Sequence, residues 1–293
     1  IQLSINSVKL LNKIEFNRFQ NDKKFHPKKI SFYSHKSLNK ICDLDISDFN
    51  YEDCKYTTLK RSDLINFLKK DLEGHIKTSH NISKIDQDNQ LIRLTFENNE
   101  TFDCDYLIIS DGVFSKSKKL ISNNQNKPQY NETLAIRGIL TKSPDNIDNK
   151  NISIFLGSDF HHVIYPVNAN GDLNFIAIMK YSLSEKELKN YSLFSDNFFI
   201  EKVLEKIPLK NKTFLNNLKE LKIFPVFVSN NFFQMKNRNI HLIGDAFFAF
   251  PPSFAQGASQ SIESAYELFE SIENDTKDNF FKKRVTKTKM VNN

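Results

Sequence analysis

The sequence predicts an α/β protein whose parallel body is interrupted by an antiparallel sheet. Three observations carry that expectation. The apolar run Tyr106-Leu107-Ile108-Ile109 ends at Asp111-Gly112 and leads into a helix-like stretch, the look of a buried parallel strand feeding a helix. Residues 239–243 repeat the arrangement, ending at Gly244-Asp245 ahead of the strongest helical pattern in the chain, residues 257–272. Between the two, residues 133–180 change texture to short alternating segments separated by polar turns, as antiparallel strands do.

In chain order, residues 4–14 begin at a Ser and set Val8, Leu10, Leu11 and Ile14 on one helical face. Residues 29–35 and 40–46 alternate as a hairpin-like pair of strands. Residues 56–59 are extended and precede a helix over 61–72, where Leu64, Ile65, Leu68 and Leu72 recur at helical spacing. A strand over 91–96, a turn at Asn98-Asn99, a second strand over 102–110 and a helix over 115–121 follow. The antiparallel set is 134–141, 152–156, 161–167 and 173–180, with residues 168–172 as a turn. Helices over 196–207 and 210–218 and a strand over 221–228 complete the insert, and a helix over 278–290 closes the chain.

Composition excludes several classes. The 293 residues carry 41 Lys plus Arg against 35 Asp plus Glu, a net charge of +6, but the lysines are scattered among acids and asparagines. The densest clusters, Lys23-Lys24 with Lys28-Lys29 and Lys282-Lys283-Arg284, are short, which favours a solvated face over a nucleic-acid footprint. No window approaches the roughly 20 apolar residues of a membrane helix, and no secretory signal opens the chain. Cys42, Cys54 and Cys104 stand far apart and read as reduced thiols of a cytoplasmic protein, with no metal set. Only six arginines occur, so each is a candidate for a place needing a planar, bidentate donor, Arg61 and Arg137 foremost.

The segment IHLIGDAFFAFPPSFAQGASQ, residues 240–260, carries the clearest chemistry. Gly244 at a strand tip lets backbone approach a ligand, and Asp245 offers a carboxylate to sugar hydroxyls there. Pro251-Pro252 stiffens the loop. Gln256, Gly257, Ala258 and Ser259 open a helix whose free N–H groups and dipole suit negative charge.

This segment resembles the flavin-contacting part of the class A FAD-dependent aromatic monooxygenases. The resemblance implies that Asp245 binds the ribityl chain of FAD, that Gly257, Ala258 and Ser259 face the flavin pyrimidine edge, and that Pro252 lines the substrate side of the ring. Phe248 stands where the family often has His, and Ala255 where it often has Gly. Residues 104–118, CDYLIISDGVFSKSK, are similar to the family's second fingerprint, which places Asp111 near the FAD pyrophosphate and assisting NAD(P)H. Here Ile109-Ser110 and Lys118 replace the usual Gly-Ala and Arg. Residues 56–68 look like the strand and helix that bring an arginine toward the flavin, so Arg61 is a cofactor contact or a plain helix-start arginine. HHVIYPVNANGDLNFIA, residues 161–177, resembles a strand pair of the salicylate hydroxylase and 6-hydroxynicotinate monooxygenase branch. His161, Val163 and Tyr165 share one strand face. That face looks onto an aromatic substrate, or else Tyr165 is a core residue and His161 an exposed strand-end residue. Arg137 is a substrate clamp or a structural arginine.

The family opens with a Gly-x-Gly-x-x-Gly loop. None occurs here, and Ile1-Gln2-Leu3-Ser4 is similar to the family's chain just past that loop. The resemblance therefore implies a fragment that lacks the N-terminal unit, binds FAD weakly or not at all by itself, is inactive alone and, in the complete protein, keeps Gln2 beside the isoalloxazine. It implies a glutathione-reductase-type, Rossmann-like three-layer FAD-binding domain, incomplete, over residues 1–132 and 239–293, with an inserted substrate domain over 133–238. The implied activity is NAD(P)H- and O2-dependent hydroxylation of a small aromatic acid or phenol through a flavin C4a-hydroperoxide. The alternatives are hydroxylation of a polyprenylated ring in ubiquinone synthesis and a non-catalytic protein that keeps the fold.

Overall fold

The computed structural model describes residues 1–88, 91–121, 127–140, 147–208, 215, 217–229, 231–252 and 255–292. In order these form β1 (Gln2–Leu3), α1 (Ile5–Asn12), β2 (Lys24–Phe25), β3 (Lys29–Ser34), β4 (Lys40–Asp45), β5 (Thr57–Leu59) and α2 (Arg61–Lys69). Next come β6 (Ile82–Gln87), β7 (Ile92–Phe96), β8 (Thr101–Cys104), β9 (Leu107–Ile109) and α3 (Lys116–Ile121). β10 (Gln129–Leu140), β11 (Ile152–Leu156), β12 (Phe160–Pro166), β13 (Leu173–Lys180), α4 (Glu185–Lys189), α5 (Asn197–Lys206) and β14 (Lys219–Val228) follow. The chain closes with β15 (Ile240–Leu242), α6 (Gly244–Phe247), α7 (Gly257–Glu273) and α8 (Phe280–Asn292). Local chemistry sets several boundaries. The Ser4 hydroxyl accepts from the Ser7 N–H at 3.4 Å to start α1, and Asp196 does the same for α5 through the Phe199 N–H at 2.9 Å.

Two compact units emerge, Ile1–Leu68 with Tyr130–Val226, and Lys69–Gln129 with Phe227–Asn293. Residues 1–68 thus cluster with the antiparallel strands.

The first unit is built on a seven-stranded sheet of order β14-β10-β13-β12-β11-β3-β4. β10–β13, β13–β12, β12–β11 and β3–β4 pair antiparallel, while β3 joins β11 in parallel. One face packs Leu134, Ile136, Phe160, Ile164 and Phe175 against Phe199 and Val203 of α5. The opposite face carries a smaller group, Ile152, Tyr165 and Val167, covered by Tyr56 and Val163 among others.

The second unit holds the antiparallel sheet β6-β7-β8 and the parallel pair β9–β15, with Leu107 opposite Ile240 and Ile109 opposite Leu242. Its core gathers Ile92, Leu94, Leu107, Ile109, Ile240, Leu242 and Phe247, with Phe281 and Val285 of α8 packed on it.

Two expectations change, and one strand was missed. The single strand over 102–110 is two strands, because β8 turns back onto β7 while β9 crosses to β15, and one backbone edge cannot serve both partners. Within β9, Leu107 and Ile109 are buried, but Ile108 is 46% exposed, so this apolar run is half-buried. β6 was not read from the sequence, because only Ile82 and Ile85 interrupt its polar residues. The helix expected over 210–218 lies largely outside the described residues.

Candidate functional site

β15 delivers the chain into Gly244, whose φ of +55° belongs to the left-handed region that glycine tolerates best. A Cβ there would stand 3.0 Å from the Ser261 hydroxyl of α7. The Gly244 N–H donates to the Ser264 Oγ at 3.1 Å, Ser264 donates on to the Ser261 carbonyl at 2.9 Å, and Ser261 donates to the Gly257 carbonyl at 2.9 Å. The strand tip is thereby laced to the start of α7. Gly244→Ala is expected to lower the unfolding free energy by about 1–2 kcal/mol, the cost of a left-handed non-glycine residue, read as a shift in the urea midpoint.

Asp245 and Gly257 line one small hollow with Gly244, Ser261 and Ser264. Its interior of about 10 Å³ admits a single water at most. A flavin ring does not fit inside it, so a cofactor held at this turn would have to lie against its outer side. The residues present suit that placement. Asp245 is exposed, and the direction a Gly257 side chain would take is open space. Gln260 makes the first bond of α7, to the Gln256 carbonyl at 2.8 Å. The Gly257 and Ala258 amides precede it and meet no acceptor among the described residues, which leaves donors for an anionic ligand edge. Ser259 is 2% exposed, so its side chain belongs to the interior. Gln256 and Pro252 are half-buried.

Asp111 stands at the end of β9, exposed, and its Oδ2 accepts from the Ser117 N–H at 3.0 Å, capping α3. Gly112 turns the chain with a φ of +86°. Lys118 donates from Nζ to the Ala246 carbonyl at 3.3 Å, tying α3 to the turn that holds Asp245. Burial lowers the Lys118 pKa, with Asp111 opposing the shift.

In the first unit, register places Arg137 beside Ile176 and Ile176 beside Val163, so all three share a sheet face. Tyr165, two positions after Val163, lies on that face one row further along. The Tyr56 hydroxyl donates to the Gln2 Oε1 at 2.7 Å, and Gln2 also hydrogen-bonds the Tyr165 hydroxyl. Burial pushes Tyr165 up to about 12, against the pull of Arg137 and Gln2, so it remains a neutral phenol. The Arg137 guanidinium lies over the Phe224 ring at 4.9 Å. Burial lowers its pKa, Tyr165 opposes this, and Arg61 adds to it. A stacked cation beside a neutral phenol on one face can receive a carboxylate or phenolate.

A family model for the FAD binding domain matches residues 31–277. The chain belongs to the FAD binding domain family. Salicylate hydroxylase of Pseudomonas putida is 25% identical over 244 residues, 72% of this chain and 53% of the relative. Chloroplastic zeaxanthin epoxidase of an Oncidium hybrid cultivar is 24% identical over 191 residues, 64% of this chain and 28% of the relative. The chain thus spans from about a quarter to about half the length of these curated relatives. Among solved structures, Klebsiella pneumoniae HpxO complexed with FAD and uric acid shares the fold with a TM-score of 0.74 at 14% identity, covering 92% of this chain and 69% of that one.

In this FAD-binding family member the expected residues fall into two groups, each inside one unit. Gly244, Asp245, Gln256, Gly257, Ala258, Ser259, Pro252 and Asp111 belong to the second unit, where Gly244, Asp245 and Gly257 meet at one hollow. Gln2, Arg61, Arg137, His161 and Tyr165 belong to the first. Gln2, Arg137 and Tyr165 come together there, and Arg61 is exposed at the start of α2 within electrostatic reach of Arg137. His161 lies four residues, roughly 13 Å, along β12 from Tyr165. It is half-buried, and burial lowers its pKa. Sequence reasoning missed Tyr56 and Phe224, which assemble around that group through tertiary pairing. It also missed the tether made by Lys118, for which the Arg-to-Lys departure was the available signal.

Proposed function

We propose that the chain belongs to an FAD-dependent monooxygenase that hydroxylates a small aromatic acid or phenol with NAD(P)H and O2. The observation that carries the substrate half is the Arg137 guanidinium stacked on Phe224 beside neutral Tyr165. The named relatives add support, since one acts on salicylate by its name and another was solved with uric acid. A charged clamp on this face favours an anionic ring over a wholly apolar polyprenyl substrate.

In this reading Asp245 accepts hydrogen bonds from the ribityl hydroxyls of FAD, with Gly244 allowing the close approach. The amides of Gly257, Ala258 and Ser259 hold the flavin pyrimidine edge, with Gln256 at the same helix mouth. Asp111 serves the pyrophosphate region, and Pro252 borders the ring. Arg137 orients the substrate anion, the Tyr165 hydroxyl donates to it, and His161 is a more distant polar partner. Bound FAD supplies the redox and oxygen chemistry.

Substrate-dependent NAD(P)H oxidation by the FAD-loaded protein, completed with an N-terminal Gly-rich unit of the kind the resemblance implies, tests the reading, scanned across salicylate-like acids and neutral phenols. Arg137→Met is expected to raise KM for the acids about 10- to 100-fold, the worth of a lost charge-assisted pair, while neutral phenols change little. Equal loss for both classes, or no substrate-stimulated oxidation by the completed protein, would refute it.

A further inference from the structure

Arg284 of α8 is 2% exposed and heads the largest fully buried side chains among the described residues. Its fork reaches back onto α7. Nη1 donates to the Glu267 Oε2 at 3.0 Å and lies 3.9 Å from the Glu263 Oε2. Nη2 donates to the Gln260 side-chain oxygen at 2.9 Å and, more weakly, to the Gln260 carbonyl at 3.4 Å. Gln260, Glu263 and Glu267 stand at i, i+3 and i+7, one stripe of about 10 Å along the helix. The second oxygen of Glu267 is taken by Lys287, with Lys283 at 3.8 Å. Burial works against ionising Glu267, but the Lys287 and Arg284 hydrogen bonds hold its carboxyl below the usual range.

A desolvated guanidinium is a costly way to join two helices, since an apolar side chain of similar bulk fills such space at least as well. What a fork does better is fix register. The stripe it grips begins at Gln260, directly after the amide mouth of α7. Arg284 and Thr288 also wall the hollow that Gly244, Asp245 and Gly257 share, and the Arg284 Nε and Thr288 Oγ1 are buried there without a partner. The hollow therefore has the candidate cofactor turn on one side and this ion cluster on the other.

We propose that Arg284 is a positioning residue, whose grip on Gln260 and Glu267 sets the axial register of α7 and so places the Gly257 and Ala258 amides relative to Asp245. The proposal rests on the FAD reading above. A slip of one residue along a helix is 1.5 Å, enough to spoil a directed set of donors.

Hydrogen exchange of the flavin-free protein and FAD titration give two separate readings. Arg284→Met keeps the bulk and loses the fork. It is expected to speed exchange of the residue 260–263 amides about tenfold relative to those of 268–272, and to weaken FAD binding about tenfold, the scale of one lost charge-assisted bond. Arg284→Lys keeps the charge without the fork and is expected to recover part of both, a graded response that simple space filling does not give. If folded Arg284→Met binds FAD like the parent, the proposal is overturned, whether or not exchange has quickened. Should Arg284→Met fail to fold, Arg284→Lys decides by the same two readings, and parental values in both overturn the proposal. If the parent protein holds no FAD, the titration is made on the chain extended by the N-terminal Gly-rich unit that the resemblance implies; no FAD affinity there either sinks the functional reading instead, and exchange at 260–263 then reports on register alone.

Discussion

Asp245→Ala is expected to weaken FAD binding roughly 30- to 150-fold, equivalent to about 2–3 kcal/mol, the worth of hydrogen bonds to an ionised acceptor. The carboxylate stands at the tip of β15 beside a glycine that permits close approach, and it is exposed before any ligand arrives. A ligand at the strand tip can therefore reach its oxygens from the solvent side. For the same reason the substitution should leave the thermal midpoint within a few degrees, since exposed positions seldom carry fold stability. Asp245→Asn keeps one acceptor oxygen and loses the charge, so it should fall between Ala and the parent. Fluorescence titration with FAD checks the order. Equal affinity in all three proteins would remove Asp245 from the cofactor and with it the central cofactor contact assigned to the second unit.

The Gly-Asp turn and the Gly257 helix start were legible because each depends on local covalent facts. A glycine at a strand tip, a carboxylate after it and a helix opening without a side-chain cap are written in consecutive residues, and β15, α6 and α7 follow that order. The strand face of His161, Val163 and Tyr165 was equally legible, since alternation alone assigns it. What alternation does not supply is the partner across the sheet. Arg137 joins Tyr165 because β10 and β12 both pair with β13 in a particular register, and Phe224 reaches Arg137 from β14. The rarity of arginine drew attention to Arg61 and Arg137, while the most buried one, Arg284, went unread. Its acceptors Gln260 and Glu267 form a visible stripe on α7, but that α8 folds back onto this stripe is a tertiary fact. The single strand expected over 102–110 failed for a related reason. Its composition suits a strand throughout, and only the competing partners β7 and β15 divide it.

The first unit should weaken in acid through His162. This ring is 2% exposed in the sheet core, stacks on Phe155 at 4.3 Å, tilts against Phe160 and Phe175, and leaves Nδ1 without a partner. Burial first, and then the charges of His35 and His161, depress its pKa to about 3. In the unfolded chain the same group titrates near 6.5. Between those values the unfolded state binds the extra proton, so stability falls as pH drops below about 6.5, by roughly 1 kcal/mol per unit, and the loss levels off near 3. Above 6.5 both states are neutral and the group contributes no pH dependence. His162→Phe removes the proton and joins an aromatic cluster that already contains three phenylalanines. The stability difference between variant and parent should therefore grow steadily from pH 6.5 down to pH 4 and stay flat from pH 7 to 8. Urea unfolding at several pH values measures it. A difference that does not change with pH would mean that His162 titrates in the fold as it does in the unfolded chain, because solvent reaches its ring.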